Sequence, residues 1–193
     1  MLRRMYDWTL EQAARPYAER MLAFISFIES SVFPIPPDVM LVPMVLAERA
    51  KAWRFALVCT AASVLGGIAG YLIGAFLFDQ VGQPILAFWG YDVKFAVFQA
   101  DYAEWGAWAV LFAGLTPFPF KVITILSGAA GLDIWVFTLS SIVARGGRFF
   151  LEAALLWWFG EPIRAFVERY LGWVAAVALT ALIGGFVLAK FIL

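Results

Sequence analysis

Pro34-Ile35-Pro36-Pro37-Asp38 and Pro117-Phe118-Pro119-Phe120-Lys121 set the reading of this chain. Both have the form Pro-x-Pro-x-charge, and both sit inside apolar runs. Each proline lacks a backbone donor and clashes with the preceding helical turn, so neither run continues as one helix. The apolar arms on either side are too short to cross a bilayer, which takes about 20 residues, but long enough to dip in and return. The expectation is two re-entrant helical hairpins, over 21–48 and 106–132. Pro34, Pro36 and Pro37 stand at the tip of the first, with Asp38 beside them. Pro117 and Pro119 stand at the tip of the second, with Lys121 beside them.

Working outward, Phe55 to Phe78 carries no charge, and a transmembrane helix is expected over 54–78. Gly66, Gly70 and Gly74 recur every fourth residue within it and share one face, where small residues let a neighbouring backbone approach closely. Residues 79–105 mix acids with aromatics and read as an interfacial connector with a short helix near 92–104. A second span is expected over 135–159, unusual in carrying Arg145, Arg148 and Glu152 on one face. A plain third span follows over 171–192. Residues 1–20 read as an amphipathic helix lying in the interface, because charges recur throughout them and no signal-peptide core is present.

The pattern repeats. Pro34, Pro36 and Asp38 align with Pro117, Pro119 and Lys121 at a constant offset, and Trp53-x-Phe55-x-Leu57 aligns with Trp135-x-Phe137-x-Leu139 after one residue's adjustment. Basic residues flank the first hairpin (Arg3, Arg4, Arg15, Arg20, Arg49, Lys51 and Arg54), while acids dominate 79–105. By the positive-inside rule the first hairpin enters from the cytoplasm and the second from outside. The expected architecture is therefore an all-α integral membrane protein. An inverted repeat of hairpin plus transmembrane helix is followed by an extra C-terminal helix, the arrangement of secondary transporters.

Composition agrees. The 193 residues are 64% hydrophobic, with 9 Trp and 6 Tyr suited to membrane interfaces. The mean hydropathy is +0.86. Net charge is zero, which gives no pull toward nucleic acid. Histidine is absent and Cys59 is the single cysteine. There is accordingly no His-based metal site, no intrachain disulfide, no Cys-x5-Arg and no clustered acids for Mg²⁺. An enzyme is not expected, nor any cofactor or metal. Cys59 reads as a small buried hydrophobe.

Ionisable groups at bilayer depth cost roughly 2.5–3.5 kcal/mol each and usually face a polar cavity. Glu29, Asp38, Lys121, Arg145, Arg148 and Glu152 are the candidates. Lys121, Arg145 and Arg148 suit a phosphate headgroup, and Glu29 and Asp38 suit proton exchange and gating. The tips carrying Asp38 and Lys121 are expected to approach each other. Blander readings pair Arg148 with Glu152 locally and make Asp38 a helix N-cap. Glu29 has no local partner.

Phe27-Ile28-Glu29 through Phe33-Pro34-Ile35-Pro36-Pro37-Asp38 resembles the DedA family of bacterial inner-membrane proteins, which share a fold with eukaryotic VTT-domain lipid scramblases. The span with Gly66-Gly67, Gly70-Tyr71 and Gly74 is similar to that family's glycine-rich helix. Thr116-Pro117 to Lys121, then Ser127-Gly128, occupies the place of its Arg-rich hairpin, and the resemblance covers roughly residues 20–160. Lys121 stands alone where many members carry two arginines; Leu115 and Thr116 lie near the place of the earlier base, and Arg145 and Arg148 are read as compensating. The chain looks like a short, divergent branch.

The resemblance implies movement of phospholipid or undecaprenyl phosphate across the bacterial inner membrane, with a suspected link to proton-motive force. The expected partners are membrane lipids, chiefly an anionic phospholipid or a polyprenyl phosphate, and protons. Self-association is compatible with the sequence. Two other readings stand beside the lipid translocase: a proton-coupled transporter of small ions or drugs, and a non-transporting membrane organiser.

Overall fold

The structure, a computed structural model, describes residues 17–32, 36–89, 92–116, 118–160 and 162. Most of the interfacial helix expected over 1–20, Pro34, Pro117 and the span expected over 171–192 lie outside the described residues.

All regular structure among the described residues is helical: α1 (Ala18–Ser31), α2 (Asp38–Ala47), α3 (Ala52–Leu77), α4 (Gln83–Trp89), α5 (Asp92–Leu115), α6 (Phe120–Ala129) and α7 (Ile134–Gly160). A 3₁₀ turn over Arg49–Lys51 leads into α3, and a π-helical turn over Phe78–Gly82 leads out of it. Two of these helices, Arg49–Leu77 and Ile134–Gly160, are long and apolar enough to cross a membrane, with mean hydropathies of 1.9 and 1.2. Large apolar side chains point outward along both, Leu57, Leu65, Phe76, Leu139, Val143 and Trp158 among them. A hydrocarbon surround accepts such side chains where water would not.

The prolines act as helix starters. Pro37 immediately precedes α2 with φ −64°, and its carbonyl accepts from Met40 and Leu41 N–H, both at 2.9 Å. Pro119 precedes α6 with extended backbone (φ −61°, ψ 102°), which stops the chain from running on from α5. At its other end α6 closes with Gly131 in the left-handed region (φ 73°), the conformation that glycine adopts most cheaply. Asp133 then caps α7, accepting from Trp135 and Val136 N–H at 2.9 and 3.0 Å.

One division differs from the sequence reading. The helix expected near 92–104 and the hairpin arm expected from 106 are a single helix, α5, of 24 residues. No proline interrupts it. Gly106 lies mid-helix, where any Cβ would meet the Leu132 and Tyr102 side chains at 2.8 and 3.0 Å. That glycine serves packing and is not a break.

α3 is the axis. Cβ atoms at Gly66 and Gly74 would overlap the carbonyl oxygens of Phe27 and Ile125, and one at Gly70 would overlap the Thr124 hydroxyl. α1 and α6 thus lie backbone-close against α3, and Gly128 of α6 answers by admitting the Tyr71 carbonyl. Two apolar clusters flank this contact. One unites Leu22, Leu41, Met44, Phe55 and Phe149 from α1, α2, α3 and α7. The other unites Tyr102, Val110, Phe120 and Phe137 from α5, α6 and α7.

The outer ends of the two helix–break–helix pairs lie at opposite ends of α3. Glu19, at the start of α1, is ion-paired to Arg54 at 2.7 Å. Tyr71, toward the other end of α3, donates to the Leu132 carbonyl just after α6. α7 runs antiparallel to α3, as the Trp53–Trp157 ring contact at 6.4 Å and the Tyr71–Phe137 contact at 5.2 Å together show.

Candidate functional site

Between the apolar clusters lies a polar layer. Arg145, only 1% exposed, comes from the middle of α7. Its Nε donates to Ser63 Oγ of α3 at 2.6 Å, and its Nη2 to Glu29 Oε2 of α1 at 2.8 Å. Ser30 Oγ lies 2.6 Å from Ser63 Oγ and donates to Glu29 Oε2 at 3.1 Å. The guanidinium is held between two rings, with its carbon 4.9 Å from the Phe120 centroid and 4.7 Å from that of Phe149. Each such contact adds about 0.5–2 kcal/mol of attraction without supplying a counter-charge.

Arg148, one turn further along α7, is less enclosed. Its Nη2 donates to Asp38 Oδ2 at 2.7 Å and its Nη1 to the Thr116 carbonyl at 3.1 Å. Arg148 and Asp38 are 24% and 26% exposed. Asp38 opens α2, yet its carboxylate goes to Arg148 and caps no N–H of its own helix. The local Arg148–Glu152 ion pair that helical spacing suggests is absent, because Arg148 finds Asp38 across the break instead. Glu152 itself reaches Asp38 within hydrogen-bonding range.

The inner ends of the two helix–break–helix pairs meet at this layer. Thr124 Oγ1 of α6 lies 3.1 Å from the Ser30 carbonyl and 2.8 Å from the Lys121 carbonyl. Lys121 Nζ donates to the Val32 carbonyl at 3.4 Å. The expected approach of Lys121 to Asp38 takes a different form. Lys121 meets the backbone of the first break, and Arg148 takes the carboxylate. Of the remaining tip residues, Pro36, Pro37 and Pro119 lie at the described edges of the breaks.

Glu29, Asp38, Arg145 and Arg148 thus converge from α1, α2 and α7, with Lys121 nearby on α6. Ser30, Ser63 and Thr124, which complete the layer, were not singled out from the sequence. The available signal was weak: fully buried serines at 26 and 30 repeat at helical spacing on α1, and Ser63 is one of few polar residues in a charge-free run.

Comparison with known proteins is consistent in kind. The VTT domain model matches residues 33–158, which take in α2 through most of α7. An uncharacterised protein of Haemophilus influenzae is 39% identical over 187 residues, covering 95% of this chain and 96% of that protein. An uncharacterised homologue from Histophilus somni is 36% identical over 176 residues, covering 90% and 92%. No solved structure matches. The match to most of the chain, together with its two span-length apolar helices, establishes that this membrane protein belongs to the VTT-domain family, the family of the DedA proteins.

Proposed function

We propose that the protein is a lipid translocase of the bacterial inner membrane, a multi-pass protein that carries phosphate-headed lipid between leaflets. The observation that carries the reading is the pair of guanidinium groups, Arg145 and Arg148, held by carboxylates where two broken helix pairs meet. A headgroup phosphate offers what Glu29 and Asp38 offer: anionic oxygens matched to the planar guanidinium fork. Protonation of a carboxylate weakens its claim on the arginine, and phosphate then competes for the vacated donors. Lys121, half-buried at the meeting of the breaks, is the first cation that such a headgroup meets. Acyl chains stay in the bilayer, against the outward apolar faces of α3 and α7.

The arrangement is read as two re-entrant hairpins related by inversion. Support comes from the contacts of their outer ends at opposite ends of α3 and of their inner ends at Ser30, Val32, Lys121 and Thr124. Irregular backbone at membrane depth is tolerated where it is buried in protein or lines a polar cavity.

The completeness of the Arg145–Glu29–Ser63 network also favours a second reading, a non-transporting organiser whose pairs are static. Movement of labelled undecaprenyl phosphate and of a labelled glycerophospholipid in proteoliposomes separates the two. The translocase reading expects Glu29→Gln, Lys121→Ala and Arg148→Ala to slow lipid crossing at least tenfold, with Arg54→Ala close to wild type. Equal rates in all variants and in empty vesicles would favour the organiser.

A further inference from the structure

Lys121 meets the Val32 carbonyl and no carboxylate among the described residues, and the remaining charged side chains of the polar layer do not balance. Arg145 is matched by Glu29 and Arg148 by Asp38. Glu152 remains, one turn beyond Arg148 on the membrane-crossing helix α7, and it forms no ion pair among the described residues. An unmatched charge on an apolar helix of this kind is costly.

Its position shows how the excess is removed. Glu152 reaches Asp38 within hydrogen-bonding range. Asp38 spends Oδ2 on Arg148, while its Oδ1 is buried and has no donor among the described residues. Two ionised carboxylates only accept, so they repel each other and leave Oδ1 orphaned. A single proton on the pair turns the repulsion into an O–H···O⁻ bond, supplies the missing donor and leaves the two arginines matched by two negative charges. Glu29 is different in kind, because its Oε2 already accepts from Arg145 and from Ser30 and it is satisfied as an anion.

We infer that Asp38 and Glu152 together bind one exchangeable proton, which ties α2 to α7. The ionisable groups around it are Arg145 and Arg148 on α7 and the buried thiol of Cys59 on α3. Glu29 on α1 acts on it only through Arg145. When the proton leaves, Glu152 becomes a second anion within one helical turn of Arg148 and competes with Asp38 for that guanidinium. The tie between α2 and α7 loosens. On the translocase reading, this pair, and not Glu29, is where a proton gradient acts on the protein. Glu152 is then a positioning residue that works on Arg148 through Asp38.

Infrared difference spectra of the full-length protein in bilayers, recorded between acidic and alkaline buffer, test the pair directly. Wild type is expected to show a carbonyl component of a protonated carboxylic acid that is lost in Glu152→Gln and also in Asp38→Asn, and that survives in Glu29→Gln. The amide introduced by Glu152→Gln can itself donate to Asp38 Oδ1, so that variant is expected to stay folded, and Asp38→Asn gives an independent second variant. Survival of every such component in both variants, or its loss only in Glu29→Gln, would overturn the inference. Lipid crossing in the same vesicles should lose its response to a pH gradient in Glu152→Gln. If wild type moves no lipid while the band behaves as expected, the translocase reading fails and the shared proton stands.

Discussion

Arg145 and Arg148 sit three residues apart and should respond differently to the same change. Arg145→Ala removes the only ion-pair partner of Glu29 among the described residues, inside a site where Arg145 is 1% exposed. Breaking a buried pair from one side costs about 3–5 kcal/mol. A matching fall in the thermal unfolding midpoint in detergent is expected. Arg145→Lys should recover only part of it, because one ammonium cannot reproduce the forked contacts to Ser63 and Glu29. Arg148→Ala, at a pair about a quarter exposed, should cost about 1 kcal/mol of stability and a far larger share of lipid movement. A loss of stability as large as that of Arg145→Ala, with transport intact, would mark Arg148 as structural. The sequence made these residues legible because a charge in an apolar run is conspicuous. It did not make their partners legible. Helical spacing points to neighbours such as Arg148 and Glu152, whereas Asp38 lies 110 residues away from Arg148 and is brought there by packing of α2 against the rest.

At the scale of the element, the glycines of α3 provide a graded test. Gly66→Ala and Gly74→Ala place a methyl group onto backbone carbonyls of α1 and α6, and overpacking of this kind typically costs about 1–3 kcal/mol. Gly67→Ala meets only ordinary contacts, the nearest at 3.4 Å, and gains about 0.8–1.0 kcal/mol in helix propensity. Thermal unfolding should therefore rank Gly67→Ala at or above wild type and both other variants below it. Equal effects at all three positions would show that the close approach of α1 and α6 to α3 is wrong. The four-residue glycine spacing made this face visible in the sequence, as proline chemistry made the two breaks visible. The continuity of α5 was not visible: Asp101 and Glu104 among aromatics look like a connector, yet no proline interrupts the run, and Gly106 packs against Leu132 without breaking the helix.

For the whole molecule, the contacts that put the outer ends of the two broken pairs at opposite ends of α3 predict opposite exposure across the membrane. Cys59 is the only cysteine and is buried, so Cys59→Ala provides a background for single-cysteine labelling. Ala50→Cys should react with an impermeant thiol reagent only after the cytoplasmic side is opened, and Gln80→Cys should react from outside. Labelling of both from one side would contradict the inverted arrangement. An expected orientation was readable from where the basic residues cluster, because that signal is additive along the chain. How the inner ends meet was not, because it rests on single bonds such as Thr124 to the Ser30 carbonyl.

The central claim is that the arginines of the polar layer recognise a lipid phosphate while the lipid crosses. The most direct measurement compares, in proteoliposomes with and without a pH gradient, the crossing rate of a labelled polyprenyl phosphate or glycerophospholipid with that of a labelled lipid lacking phosphate. The account predicts that wild type speeds the phosphate-headed lipid well above empty vesicles and leaves the phosphate-free lipid unchanged, with the gain lost in Arg148→Ala. Equal crossing of both lipids, or no gain for either under any gradient, would contradict it.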